Sequence, residues 1–174
     1  MLEMDEYLSQ ALEGKKARYF YSDPPWGEGN LKYWQTINFK MNRVAPKSVD
    51  LGAFLHQIFR LASTYCSGIV WIEYGVRWRD EIKTLGESYG LKHIGRADIV
   101  YTSQNLPLDL HVFVPQGSKE VLPSDYFQRV NGTKGFKTLQ AAVQGVVVPG
   151  RLLLTLVAVW DTLRRLLSTT VFDL

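Results

Sequence analysis

Residues 21–36 read YSDPPWGEGNLKYWQT, and Asp23, Pro24, Pro25 and Trp26 within them have the chemistry to hold an aromatic amine. The exocyclic amine of a nucleobase is a poor nucleophile, because its lone pair is delocalised into the ring. The Asp23 carboxylate and the Pro24 carbonyl can each accept one N–H, which favours a pyramidal nitrogen whose lone pair faces an electrophile. The prolines fix those acceptors in a rigid backbone that lacks donors, and Trp26 offers a flat face for the base. Behind the tetrad, Gly27 and Gly29 in a GEGN turn give freedom to open around an extruded nucleotide. Lys32, Tyr33 and Trp34 supply a phosphate contact and stacking surfaces. A proline-rich turn with a half-buried tryptophan, followed by aromatics packed on their own domain, is the competing structural reading.

The elements that must position these residues alternate between period 2 and period 3.6, the pattern of βαβ units. RYFYSD (18–23) is a β-prone run that places Asp23 at a strand's carboxyl edge, where sites on parallel sheets lie. The segment from Ser48 to Cys66 has Leu51, Phe54, Leu55, Ile58, Phe59 and Ala62 on one helical face, with Ser48 as its expected cap. GIVWIEYG (68–75) is a continuous apolar run bounded by glycines, as in a buried parallel strand. Trp78, Ile82, Leu85 and Tyr89 recur at helical spacing up to Gly90. ADIVYTS and LDLHVFVP are joined too tightly for a crossover helix, which predicts an antiparallel pair at a sheet edge. FKTLQAAVQG reads as a helix, and RLLL begins another strand.

The chain has 174 residues, 46% hydrophobic and 21% charged, with a net charge of +3, which fits one globular domain and excludes a disordered or supercharged chain. The single cysteine, Cys66, excludes an intrachain disulfide and a multi-cysteine metal site. His56, His93 and His111 are far apart in sequence and lack metal-ligand spacing, so no metal is expected. Acids interrupt the first residues, and the apolar run LLLTLVAVW is too short to span a bilayer. A cytoplasmic protein with no membrane partner is the resulting expectation; oligomeric state is not encoded legibly.

YFYSDPPW resembles the catalytic motif of S-adenosylmethionine-dependent amino-methyltransferases that act on adenine N6 or cytosine N4. Aspartate in first place and an aromatic in fourth lean towards adenine; Phe20 departs from the smaller aliphatic usual there. The resemblance implies a Rossmann-like α/β methyltransferase sheet, S-adenosyl-L-methionine as cofactor and DNA as partner. Near the end, TKGFKTLQAAVQGVVVPGRLLLT resembles the segment preceding the cofactor-binding strand in the permuted class, with Lys134, Leu139, Pro149 and Gly150 in register. By the same resemblance Thr133, Lys134 and Phe136, in NGTKGF (131–136), help close the cofactor pocket. An acceptor of cytosine N4 or RNA adenine, and a non-enzymatic nucleic-acid- or protein-binding domain, are the alternatives.

The family pattern next requires Asp-Pro-x-x-Gly-x-Gly-x-Thr, whose glycines admit the cofactor's methionine end. The chain instead reads TLVAVWDTLRRLLSTTVFDL. In a frame displaced by one base, each codon takes the last base of one visible codon and the first two of the next. The junctions from Leu154 to Leu163 then permit Asp-Pro-Cys-Cys-Gly-Met-Gly-Tyr-Thr, with the glycine at Trp160–Asp161 forced. The expectation is therefore a catalytic domain over 1–154, incomplete at its C-terminus, and a frame-shifted tail over 155–174. A real amphipathic terminal helix, with Leu152, Leu156, Val159, Trp160, Leu163 and Leu167 on one face, competes with it.

Overall fold

A computed structural model describes residues 2–42, 48, 50–101, 105–134, 137–146, 151 and 153–157. Five strands form one sheet in the order β3-β4-β2-β1-β5. These are β1 (Ala17–Asp23), β2 (Cys66–Gly75), β3 (Leu91–Tyr101), β4 (Leu106–Pro115) and β5 (Leu153–Val157). The parallel centre is β1, flanked by β2 and by β5, with Ser22 opposite both Ile72 and Leu156 and with Asp23 opposite Val157. The expected antiparallel hairpin is present: β3 pairs with β4, and β4 joins the hairpin to β2. β5 runs three residues past the expected boundary at 154.

Strand alternation divides the core between the two faces. Phe20, Val70, Ile72 and Phe113 point to one face, beneath α1 (Leu2–Ala11), α3 (Leu51–Tyr65) and α4 (Arg79–Ser88). Tyr19, Tyr21, Ile69, Trp71, Leu110 and Val112 point to the other, beneath α5 (Tyr126–Val130) and α6 (Lys137–Val143). Both faces are thus covered, which is why GIVWIEYG is apolar without alternation. Trp71 Nε1 donates to the Tyr126 hydroxyl at 2.7 Å, satisfying a buried donor on that second face.

Two expectations are corrected, and one proximity is added. The cap of α3 is Asp50, not Ser48: its Oδ1 accepts from Ala53 N at 3.0 Å, the reach of an aspartate directly before the first turn. The GEGN stretch is not a turn but the first turn of α2 (Gly27–Asn42). Its helical start is favoured by Glu28 near the positive end of the helix and by Asn30 Oδ1, which lies 3.4 Å from Trp26 N. Finally, His93 and His111 are brought together, with His93 Nε2 and His111 Nδ1 3.3 Å apart across the hairpin. Pairing of β3 with β4 closes a sequence gap that spacing alone does not bridge. Helix α1 carries no clear signal in the sequence, because its first residues are mostly polar and Leu8, buried within it, and Leu12, buried just after it, are too few to set a period. Pro46, Phe136, Pro149, Gly150 and the terminal segment 158–174 lie outside the described residues.

Candidate active site

Asp23 is the last residue of β1, so its carboxylate stands at the carboxyl edge of the sheet, beside the start of α2. Burial alone raises it from the ordinary carboxylate range to about 6. Among the described residues no donor or cation engages this carboxylate. Pro24 and Pro25 are buried and Trp26 is half-buried, so the tetrad is a packed corner with one aromatic face at its rim.

Trp26 meets Tyr101, the last residue of β3, edge-on at 6.1 Å between ring centroids and 79° between planes. Burial pushes the Tyr101 phenol up, and Asp23, Tyr33 and Glu73 add to the shift, which locates all four groups around one edge. Glu73 lies on β2, one residue beyond the Ser22–Ile72 pairing, and is 4% exposed. It accepts a hydrogen bond from the Tyr21 hydroxyl, and burial raises its carboxyl to about 8. It is therefore protonated at neutral pH and adds no charge that would compete with Asp23. Its signal in the sequence is an acid inside a continuous apolar strand, where only a partnered or functional group is tolerated.

A tryptophan holds the corner from behind. Trp78, in the 3₁₀ turn after β2, packs edge-on against Tyr74 at 5.5 Å. A Cβ on Gly27 would come within 2.7 Å of Trp78 Cη2, and one on Gly75 within 2.7 Å of Trp78 Cζ3. Gly27 also has φ +84°, so glycine is required there both by backbone and by space. The role of Gly27 is close packing at a helix start, not loop freedom. Trp78 carries the period that marked α4 in the sequence; its contact with two glycines far apart in the chain is set only by the fold.

The remaining predicted positions divide by location. Lys32 and Tyr33 are exposed on α2, and Trp34 is half-buried beside Tyr33, with ring centroids 5.4 Å apart. Thr133 and Lys134 join the same edge through the backbone: Val100 N donates to Thr133 O at 2.9 Å, and Val100 bridges Lys134. Val100 precedes Tyr101, so the segment expected to face the cofactor is tied to the strand whose end meets Trp26. Tyr101 and Glu73 are the residues sequence reasoning missed. No group of three or more metal-ligating side chains is present among the described residues, and no helix among them is long and apolar enough to cross a membrane.

No family model and no curated protein matches the sequence. Solved structures do. The complex of M1.HpyAVI with SAM superposes with a TM-score of 0.56 at 13% identity, covering 88% of this chain and 76% of that one. M1.HpyAVI alone gives 0.52 at 14% identity, covering 87% and 73%. TTHA0409 from Thermus thermophilus, complexed with S-adenosyl-L-methionine, gives 0.51 at 14% identity over 85% of this chain and 75% of that one. At these identities the likeness is one of fold, and it agrees with the α/β methyltransferase-type sheet and edge hairpin expected from the sequence.

Proposed function

We propose that the chain is the catalytic part of an S-adenosylmethionine-dependent DNA methyltransferase acting on adenine N6. The carrying observation is Asp23 at the carboxyl end of the middle parallel strand: a half-buried, desolvated carboxylate with no donor on it among the described residues, beside Trp26 and Tyr101. M1.HpyAVI and TTHA0409, the latter a proposed DNA modification methylase, were both solved with the cofactor and share this fold, which supports the reading. In it, Asp23 and the Pro24 carbonyl accept the two amine protons and direct the nitrogen lone pair outward. Trp26 supports the flipped base, and Tyr101 closes the opposite side. Neutral Glu73, bonded to Tyr21, keeps a second negative charge away from Asp23. Lys32, Tyr33 and Trp34 face the nucleic acid, while Thr133 and Lys134 border the cofactor. The cofactor itself supplies the electrophilic methyl group.

The residues present fit that cofactor only in part. Leu153 and Leu154 begin β5 alongside Tyr19 and Phe20 of β1, which supports its reading as the cofactor-binding strand, yet the glycine turn due after that strand is not in the sequence. We therefore assign 1–154 to the catalytic domain and the residues after Leu154 to a displaced frame. The chain as given then binds cofactor poorly and turns over little. Codons for 154–163 that fail to spell Asp-Pro-x-x-Gly-x-Gly-x-Thr in the shifted frame refute the displacement.

The function is tested with the 174-residue chain and a frame-restored chain, each incubated with DNA and methyl-labelled cofactor before nucleoside analysis. N6-methyladenine from the restored chain, with little from the chain as given, is the expected result. N4-methylcytosine, or labelled RNA alone, would replace the acceptor. No labelled base from the restored chain would overturn the reading.

A further inference from the structure

The described arginines fall into two groups. Arg18, Arg60, Arg79, Arg96 and Arg129 each pair with a carboxylate, of Glu120, Asp5, Asp109, Asp98 and Asp125 respectively. Among the described residues, Arg77 and Arg151 have no such partner. Arg151 precedes β5 and so lies towards the amino edge of the parallel strands, away from Asp23. Arg77 follows Gly75, the last residue of β2, and is exposed at the carboxyl edge that also carries Asp23. Asp80 and Glu81 begin the next helix, yet neither comes within ion-pair distance of it.

Arg77 is also held in place. Its guanidinium stands over the Trp78 ring, 5.8 Å from the centroid. The Trp78 ring is itself wedged against Gly27 and Gly75, and a Cβ on Gly75 would lie 3.6 Å from Trp26 Cε3. The cation and the base-facing tryptophan thus share one rigid support. A planar guanidinium, weakly hydrated and stacked on an immobilised indole, loses little side-chain freedom on meeting a phosphate. Among the described residues this arginine has no anion partner, although the other described arginines near acids all have one.

The geometry points to Arg77 as a backbone-phosphate contact that registers a DNA strand beside the Asp23 corner, an assignment that rests on the proposed function. Lys32 and Tyr33, exposed on α2 beyond Gly27, extend the same edge. The contact is electrostatic and independent of sequence, so it acts on binding and leaves the chemical step alone.

The test is fluorescence anisotropy of a labelled DNA duplex titrated with the 174-residue chain over a range of salt concentrations, without cofactor. Arg77→Gln should weaken binding several-fold and reduce the slope of log affinity against log salt by about 1. Arg77→Lys should restore the slope. Lys15→Gln, which removes an exposed cation just before β1 at the opposite edge, should leave both unchanged. Equal slopes for wild type and Arg77→Gln would overturn the assignment, as would a wild-type chain that does not bind DNA. Because no methylation is measured, a failed methyl-transfer assay alongside an Arg77-dependent slope would remove the proposed chemistry and keep the DNA contact.

Discussion

Asp109 and Asp23 are both acids held within the same sheet, and the protein treats them in opposite ways. Asp109, on the antiparallel β4, is fully buried and enclosed by cations: Arg79 donates to both its oxygens at 2.8 and 2.9 Å, and Arg96 adds a third bond at 3.0 Å. Asp23, at the end of the parallel β1, is enclosed by prolines and aromatics, with no cation beside it among the described residues. Glu73 is similar to Asp23, except that a phenol occupies one of its oxygens. A desolvated carboxylate costs free energy unless it is compensated, and among the described residues the compensation is supplied to Asp109 in the hairpin and not to Asp23 at the end of β1.

The contrast breaks most sharply if Asp23 is neutralised. Asp23→Asn should lower methyl transfer by the frame-restored chain by about a thousandfold while leaving its circular dichroism unchanged. In the parent, the rate should rise through about pH 6 as Asp23 ionises, a limb visible in a pH profile of kcat/KM. Next comes Glu73. Its folded-state carboxyl titrates near 8 and its unfolded one near 4.5, so the folded chain holds the proton more tightly and loses stability as pH rises between those values. Glu73→Gln should flatten that fall and be more stable than the parent at pH 9 by about 5 kcal/mol at most in urea unfolding. A variant as steeply pH-dependent as the parent would show that Glu73 is already compensated, as Asp109 is.

The paired side of the comparison predicts smaller changes with the opposite sign. Asp109→Asn should cost about 2 kcal/mol, since it strips a buried acceptor from two arginines that can still turn to water. The smallest effect belongs to pairing without burial. Lys15 and Glu13 are 4.0 Å apart with side chains 74% and 80% exposed, and Lys15→Gln should change the urea midpoint by no more than about 0.5 kcal/mol equivalent.

The sheet was legible because its signals are local. RYFYSD and GIVWIEYG carry their strand character in six to eight residues, and the short link after Tyr101 permits only a hairpin. Asp23, Pro24, Pro25 and Trp26 were legible for the same reason, being contiguous. What escaped depends on tertiary proximity: Tyr101 reaches Trp26 only through the order β3-β4-β2-β1, and Glu73 reaches Tyr21 only through parallel register. The start of helix α2 looks like a turn because Gly27 and Gly29 outweigh one buried leucine, Leu31, in any local pattern. Gly27 turns out to make room for Trp78, a residue about fifty positions later.

Because β1 has a hydrogen-bonded neighbour on each side, its amides should be among the last to exchange with deuterated solvent. The aspartate at its tip is thereby steadied through main-chain bonds and needs no anchor on its carboxylate. An acceptor positioned in this way can stay unsatisfied until a guest arrives, and still meet that guest at a fixed place.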